Sequence, residues 1–361
     1  MNSLPFETLG NIAEHLIKDQ PTLVSLCLLN LTWYNAAIRY LYYTPKIKTT
    51  RALVAITQRH TLRHIGFIRH LKIFDSHSTT FTDNDLHLLT AQLECYKASS
   101  FMNNIPLKIT SLSLSSKNFT YCGVTPLLNS CGQTLTGMQL NGFKWHSFSY
   151  IMSLTKTSPG LHALSLSHTS GFTMDSFIKS CTYDFSLHSL DLSWCGWVKN
   201  DTLSVFRSFR SLRNLKLMGC CKLTADGISS FIVAVQGLES LDISYNLQIS
   251  DAEFAKIVWT AKELKWLRMV RTLVGEQTLR AVAERNGKRL EILDMSDCRN
   301  IHRKLVEQWL GKFAMTVIIS TIQPIIAEHG QFTDPKFTTV YRNTKLLLIC
   351  CSDVSMLLDA E

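Results

Sequence analysis

The chain has 361 residues, 46% of them apolar, and a formal net charge of +9 at neutral pH. That is ample material for a large core, and the absence of any run of 18 apolar residues argues against a membrane-spanning helix. The opening Met1-Asn2-Ser3-Leu4-Pro5-Phe6-Glu7 lacks the charged start and apolar run of a signal peptide; with eleven cysteines, the expectation is reduced thiols and an intracellular location, cytoplasmic or nuclear.

The N-terminal segment carries Leu4-Pro5-Phe6-Glu7 followed by Leu9, Ile12 and Leu16, the last three on one helical face. Pro21 interrupts the chain. Leu23, Leu26 and the stretch from Leu29 to Ala37 read as further short helices. About 40 residues is little for an independent core, so a segment this apolar is expected to finish its core on a partner.

Next comes a basic stretch. Between Lys46 and Lys72 stand Lys46, Lys48, Arg51, Arg59, Arg63, Arg69 and Lys72, with no acidic residue among them. One reading is a solvated helix from Arg51 to His60 leading into an irregular first strand, Ile68-Arg-His-Leu71-Lys-Ile73. The other is a patch that steers an acidic or phosphorylated partner. His60 and His64 are four apart but lack further ligands, so no metal site is expected.

From Ile109 onward the pattern L-x-x-L-x-L returns with its first residue at Ile109, Leu135, Leu161, Leu187, Leu212, Leu238, Leu264 and Leu290. Spacings of 26, once 25, mark a solenoid of leucine-rich repeats. Counting the first residue as place 0, apolar residues recur at place 16 (Ile151, Phe177, Leu203, Ile228, Phe254) and place 19 (Leu128, Leu154, Phe206, Phe231, Ile257, Trp309). Strand period thus gives way to helix period inside each unit. The fold class expected is α/β: an N-terminal helical segment, then a curved solenoid with parallel strands on the concave face and helices on the convex one.

Place 8 is Cys195, Cys220, Asn246 and Cys298 in four units. A small thiol or amide there can pack or hydrogen-bond against a neighbouring turn. A zinc site would need paired ligands, and no C-x-x-C occurs. The residue between the second and third apolar positions runs Ser113, Gln139, Ser165, Asp191, Lys216, Asp242, Arg268, Asp294. Its last five members alternate in sign, which reads either as a self-neutralised ladder or as a polar recognition strip. Residues just after the third apolar position include His168, Trp194, Tyr245, Arg271 and Asp297, with Trp266 nearby. Tyr, Trp and Arg are common interface anchors, so His168, Trp194, Tyr245, Trp266, Arg268, Arg271 and Asp297 are the candidate target-binding residues of the concave face.

The L-P-x-E-x-L start, the spaced Ile and Leu, the central leucine cluster and Trp33 resemble an F-box, and the order F-box then 26-residue repeats is similar to the F-box and leucine-rich-repeat family. The resemblance covers roughly residues 4–315. It implies the substrate-recognition subunit of an SCF-type ubiquitin ligase: the F-box binds the Skp adaptor, and through it cullin and RING subunits, while the repeats bind a target protein for ubiquitin-dependent degradation. Carried over residue by residue, the adaptor-binding candidates are Leu4, Pro5, Ile12, Leu16, Leu26 and Trp33, some of which could equally be internal core. Asn30-Leu31-Thr32 departs from the basic or polar pair that relatives often carry there. The domains expected are F-box 1–45, basic linker and irregular first repeat 46–105, repeats 106–315, and a cap or loose tail 316–361, where the alternation of Phe313, Met315, Val317 and Ile319 suggests a last strand.

No P-loop, dinucleotide fingerprint, nucleophile elbow or zinc-protease motif occurs. A non-catalytic adaptor without cofactor is expected, with no membrane partner. Nucleic acid is disfavoured, since the basic stretch has no interleaved aromatic platform. The rival reading is a ligase-independent repeat scaffold or inhibitor, with residues 4–43 as a simple cap.

Overall fold

A computed structural model describes residues 4–58, 61–76, 80–99, 105–144, 157–171, 186–235, 237–286, 290–301, 305, 316–320, 337–342 and 345–350. The chain divides into two compact units, Met1–Ser180 and Cys181–Glu361.

The first unit opens with α1 (Phe6–His15), α2 (Gln20–Leu29) and α3 (Leu31–Leu41). Asp19 caps α2, accepting the Thr22 N–H at 3.2 Å. Pro21 lies in the first turn of α2, where a missing N–H sacrifices no helical bond. Pro21 therefore opens a helix. Asn30 caps α3 by accepting the Trp33 N–H at 2.9 Å, which gives the Asn30-Leu31-Thr32 departure a structural reason. The core between the helices is small: Ala13, Leu23 and Ala37 are buried, and Leu16, Leu26, Tyr40 and Leu41 pack around them.

Then follow β1 (Lys46–Ile47), α4 (Thr50–Thr57), α5 (Leu62–Ile65) and β2 (His70–Phe74). The helix expected over Arg51–His60 is α4; it buries Leu53 and leaves Arg51 exposed, while Arg59 and His60 lie outside the described residues. Parts of the basic stretch serve structure. The Lys48 ammonium stands 5.2 Å from the Phe74 ring centroid, and Arg69 Nη1 donates to the Gly66 carbonyl at 2.7 Å. Beyond lie α6 (Asp83–Ala98), β3 (Ser111–Ser115), α7 (Tyr121–Cys131), β4 (Gly137–Asn141) and β5 (Ala163–Ser165). Strands β1 to β5 pair in chain order, all parallel. Leu71, Leu112, Met138 and Leu164 are mutual register partners, so one buried row crosses the sheet.

The second unit repeats a strand and a helix at nearly constant spacing: β6 (Ser189–Asp191), α8 (Asn200–Val205), β7 (Asn214–Lys216), α9 (Ala225–Ala234), β8 (Ser240–Asp242), α10 (Asp251–Thr260), β9 (Trp266–Arg268), α11 (Glu276–Ala281) and β10 (Ile292–Asp294). The strands pair parallel, with Leu190, Leu215, Leu241, Leu267 and Leu293 in register and buried. Each such leucine removes apolar surface worth about 1.5–3 kcal/mol. The helices bury Leu203, Phe206, Ile228, Phe231, Phe254 and Ile257, the expected places 16 and 19; Ile151, Leu154, Phe177 and Trp309 lie outside the described residues. A last parallel strand, β11 (Thr316–Ser320), follows β10. The tail then adds an antiparallel hairpin, β12 (Phe337–Arg342) and β13 (Lys345–Cys350), beside β11.

Candidate partner-binding surfaces

The adaptor-binding candidates lie in the first unit, and the target-binding candidates, His168 apart, in the second. In the first unit the core of the three helices is small, and large apolar side chains are left over. Leu28 is 80% exposed, Leu31 74%, Leu29 62% and Leu4 53%, with Phe6, Ile12 and Val24 also in water. Of the expected adaptor-binding residues, Leu4, Pro5 and Ile12 are exposed, Trp33 is half-buried, and Leu16 and Leu26 pack against the inner core. Leu28, Leu29 and Leu31 belong to the central leucine cluster of the motif but not to the adaptor-binding set carried over from it. They sit at the α2–α3 junction, where the Asn30 cap turns the chain.

In the repeats the candidate residues lie past the strands, except Trp266 and Arg268, which belong to β9. Each strand of the second unit is three residues long up to β10, and place 7 falls in the turn that leaves it. Trp194, Tyr245, Arg271 and Asp297 all have positive φ, from 51° to 61°, as does Gly219 at the same place of its repeat. In the first unit Gly142 and His168 share that place and that conformation. The left-handed region costs a non-glycine residue roughly 1–2 kcal/mol. The turn thus demands a conformation that glycine supplies freely, and five repeats fill it with another residue.

In the second unit these residues touch in series. Trp194 lies over Gly219, where a Cβ would run into the indole. It reaches Tyr245, two repeats away, at a ring-centroid distance of 5.2 Å. The Arg271 guanidinium stands 5.6 Å from the Tyr245 ring centroid and its Nε lies 3.3 Å from Asp297 Oδ2. A chain of contacts therefore crosses five successive repeats along the exit turns. Trp266 is half-buried at the start of β9, apart from this row in sequence place.

The row through the strands behaves as a ladder. Arg268 sits between two carboxylates, 3.8 Å from Asp242 and 3.3 Å from Asp294, both of which are buried. Each carboxylate also accepts a backbone N–H two residues on, from Ser244 and Ser296 respectively. Asp191 does the same for Ser193. These aspartates hold the strand-to-turn transition, which accounts for the acidic members of the row without a ligand.

Place 8 also has a structural duty. Cys220 Sγ donates to the Leu192 carbonyl at 3.2 Å, Asn246 Nδ2 to Leu217 at 2.9 Å, and Cys298 Sγ to Met269 at 3.0 Å, in each case the place-5 carbonyl of the preceding repeat. Burial pushes the Cys220 thiol up to about 12 and raises that of Cys298, so these sulfurs stay protonated donors. Among the described residues no cluster of three or more His, Cys, Asp or Glu could hold a metal ion. Among them, too, no helix is long and apolar enough to cross a membrane.

No family model matches the chain. Among solved structures, a chain of the crystal structure of the Rad7 and Elc1 complex in yeast superposes with a TM-score of 0.51 at 15% identity, over 84% of this chain and 86% of that one. The chain has a leucine-rich-repeat fold. A chain of the TLR13–ssRNA13 complex aligns over 74% of this chain and 35% of its own length, with a TM-score of 0.43 and 16% identity. Identities at this level speak to the fold and not to ligands.

Proposed function

We propose that this chain is the substrate-recognition subunit of an SCF-type ubiquitin ligase, with α1–α3 as an F-box docking on the Skp adaptor and the repeats holding the target. The observation that carries this reading is the apolar surface of the three N-terminal helices, led by Leu28 and Leu31. Seven large apolar side chains exposed on a segment of three short helices are costly in water and are expected to be covered by a partner. The F-box-like order of residues from Leu4 to Trp33 selects the Skp adaptor among partners. A chain of like fold occurs in a two-protein complex in yeast, which is consistent with a repeat chain working beside a second protein. In this reading the chain breaks and makes no bond; it raises the effective concentration of a target near the conjugating subunits.

The test is co-expression with the Skp adaptor and capture through a tag on this chain. Wild type is expected to bring down the adaptor, and a Leu4→Ala, Pro5→Ala, Ile12→Ala variant to lose it with unchanged circular dichroism. A wild-type chain that is monodisperse alone and captures no adaptor would instead leave a ligase-independent scaffold or inhibitor.

A further inference from the structure

The exit turns of the second unit carry a second row two residues after the first. At place 9, Leu247 is 61% exposed, Leu273 39%, and Cys221 is exposed as well. Equivalent places of neighbouring parallel strands are about 4.8 Å apart, so Cys221, Leu247 and Leu273 follow one another along the rim. Beside them runs the row holding Trp194, itself 39% exposed, and Tyr245. Exposed apolar residues are thus gathered in turns, where polar residues are usual.

The fully exposed charges at this rim are basic. Of the acidic residues at the strand ends and turns, Asp242 and Asp294 are buried, Asp191 is half-buried and accepts the Ser193 N–H, and Asp297 is paired with Arg271. Lys216, Lys222 and Arg299 are exposed and, among the described residues, make no ion pair. The same turns hold Trp194, Tyr245 and Arg271 in a backbone conformation that disfavours them, at a place where Gly219 serves the fold. Local strain of this sort tends to persist where a side chain has work beyond folding.

We propose that the exit-turn rim of the second unit is a docking surface for an extended acidic segment of a partner protein. Its apolar side chains lie on Trp194, Leu247 and Leu273, and its carboxylates meet Lys216, Lys222 and Arg299. The segment runs across the repeats. The proposal rests on the reading that the repeats bind the target, and it supplies that target's chemical character. A single nucleic-acid strand fits less well: aliphatic Leu247 and Leu273 offer no stacking face, and Arg271, the cation beside the aromatic pair, is occupied by Asp297.

The test selects displayed random 12-residue peptides on the full-length chain, then measures the enriched sequences as fluorescein-labelled peptides by anisotropy. Enriched peptides are expected to set Asp or Glu beside Leu, Phe or Trp. Both the Lys216→Glu, Lys222→Glu, Arg299→Glu variant and the Leu247→Ser, Leu273→Ser variant are expected to weaken them about tenfold or more. The charge variant alters exposed positions alone, so it decides if the leucine variant loses its fold. The proposal is overturned if no peptide enriches, if basic or uncharged peptides enrich, if the charge variant keeps full affinity, or if oligothymidylate displaces the peptides. Adaptor capture is read separately on the same proteins. Rim variants that still capture the adaptor, and Leu4, Pro5, Ile12 variants that still bind peptide, tell failure of one reading from failure of the other.

Discussion

Asp251 occupies the first turn of its own helix, where any carboxylate is favoured by the exposed N–H groups, yet its hydrogen bonds go to the next repeat. It accepts the backbone N–H groups of Gly275, Gln277 and Thr278 and the Thr278 hydroxyl, at 2.6–3.0 Å. One carboxylate therefore caps α11 from outside. Asn200 does comparable work for Thr224, accepting its N–H and donating to its hydroxyl. Asp251→Ala strands these donors and is expected to lower unfolding free energy by about 2–3 kcal/mol in a urea titration. A second expectation concerns Gly219. An alanine there meets both an unfavourable φ of 64° and the Trp194 indole, so Gly219→Ala is expected to cost roughly 1–3 kcal/mol and to shift tryptophan emission as the indole is displaced. An unshifted spectrum at full stability would remove the Trp194–Tyr245 contact from the account. The sequence carries a faint sign of both features, Asn or Asp at place 13 twice and glycine at place 7 twice. The sign at place 7 is masked because Trp194, Tyr245, Arg271 and Asp297 take a conformation their types normally avoid.

At the scale of one element, three repeats are closed by a donor, Cys220, Asn246 or Cys298, that reaches back one strand, whereas Thr169 and Thr272 at the same place donate to their own repeat. The thiols and the Asn246 amide play the same part, which is why Cys and Asn alternate at place 8 without consequence for the fold. The spacing shows that place 8 faces a neighbouring turn, but not which carbonyl it meets, since the Thr272 hydroxyl at that place donates to Met269 of its own repeat. Thiol chemistry at place 8 has a pH consequence. The Cys220 thiol is held up to about 12 in the folded chain from an ordinary value of 9.0. Between those values the unfolded chain ionises and the folded chain does not, so its contribution is full below pH 9 and is lost as pH rises toward 12. Maleimide labelling of native protein at pH 8 is expected to modify Cys95, Cys122 and Cys221, which are exposed, and to spare Cys131, Cys195, Cys220 and Cys298 until urea is added. Rapid native labelling of Cys220 would contradict the back-reaching bond. The helices were legible by the same logic through places 16 and 19. The strand lengths were not: the alternation of Leu215 and Leu217 looks like a longer strand, but the chain leaves the sheet after Lys216 because the next residues enter the left-handed turn.

Taken whole, the chain carries apolar surface of two origins. In the first unit it is what three short helices cannot bury, because a core built on Ala13, Leu23 and Ala37 is too small to consume every leucine. In the second it is what the exit turns display, together with Val233 and Trp259 on the helices. The F-box-like motif indicated that the N-terminal segment needs company, yet the adaptor-binding set carried over from it named Leu16 and Leu26, which the segment keeps for itself, and passed over Leu28 and Leu31. Helical period reports which residues share a face; it does not report which of two apolar faces wins the interior. The measurement closest to the central claim is size-exclusion chromatography with light scattering on chain and Skp adaptor co-expressed. The account expects one species with the mass of this 41.0 kDa chain plus one adaptor. It expects that species to vanish for Leu28→Ser, Leu31→Ser while the repeats keep their circular dichroism. A wild-type chain eluting apart from the adaptor, or a variant that still forms the complex, would contradict it.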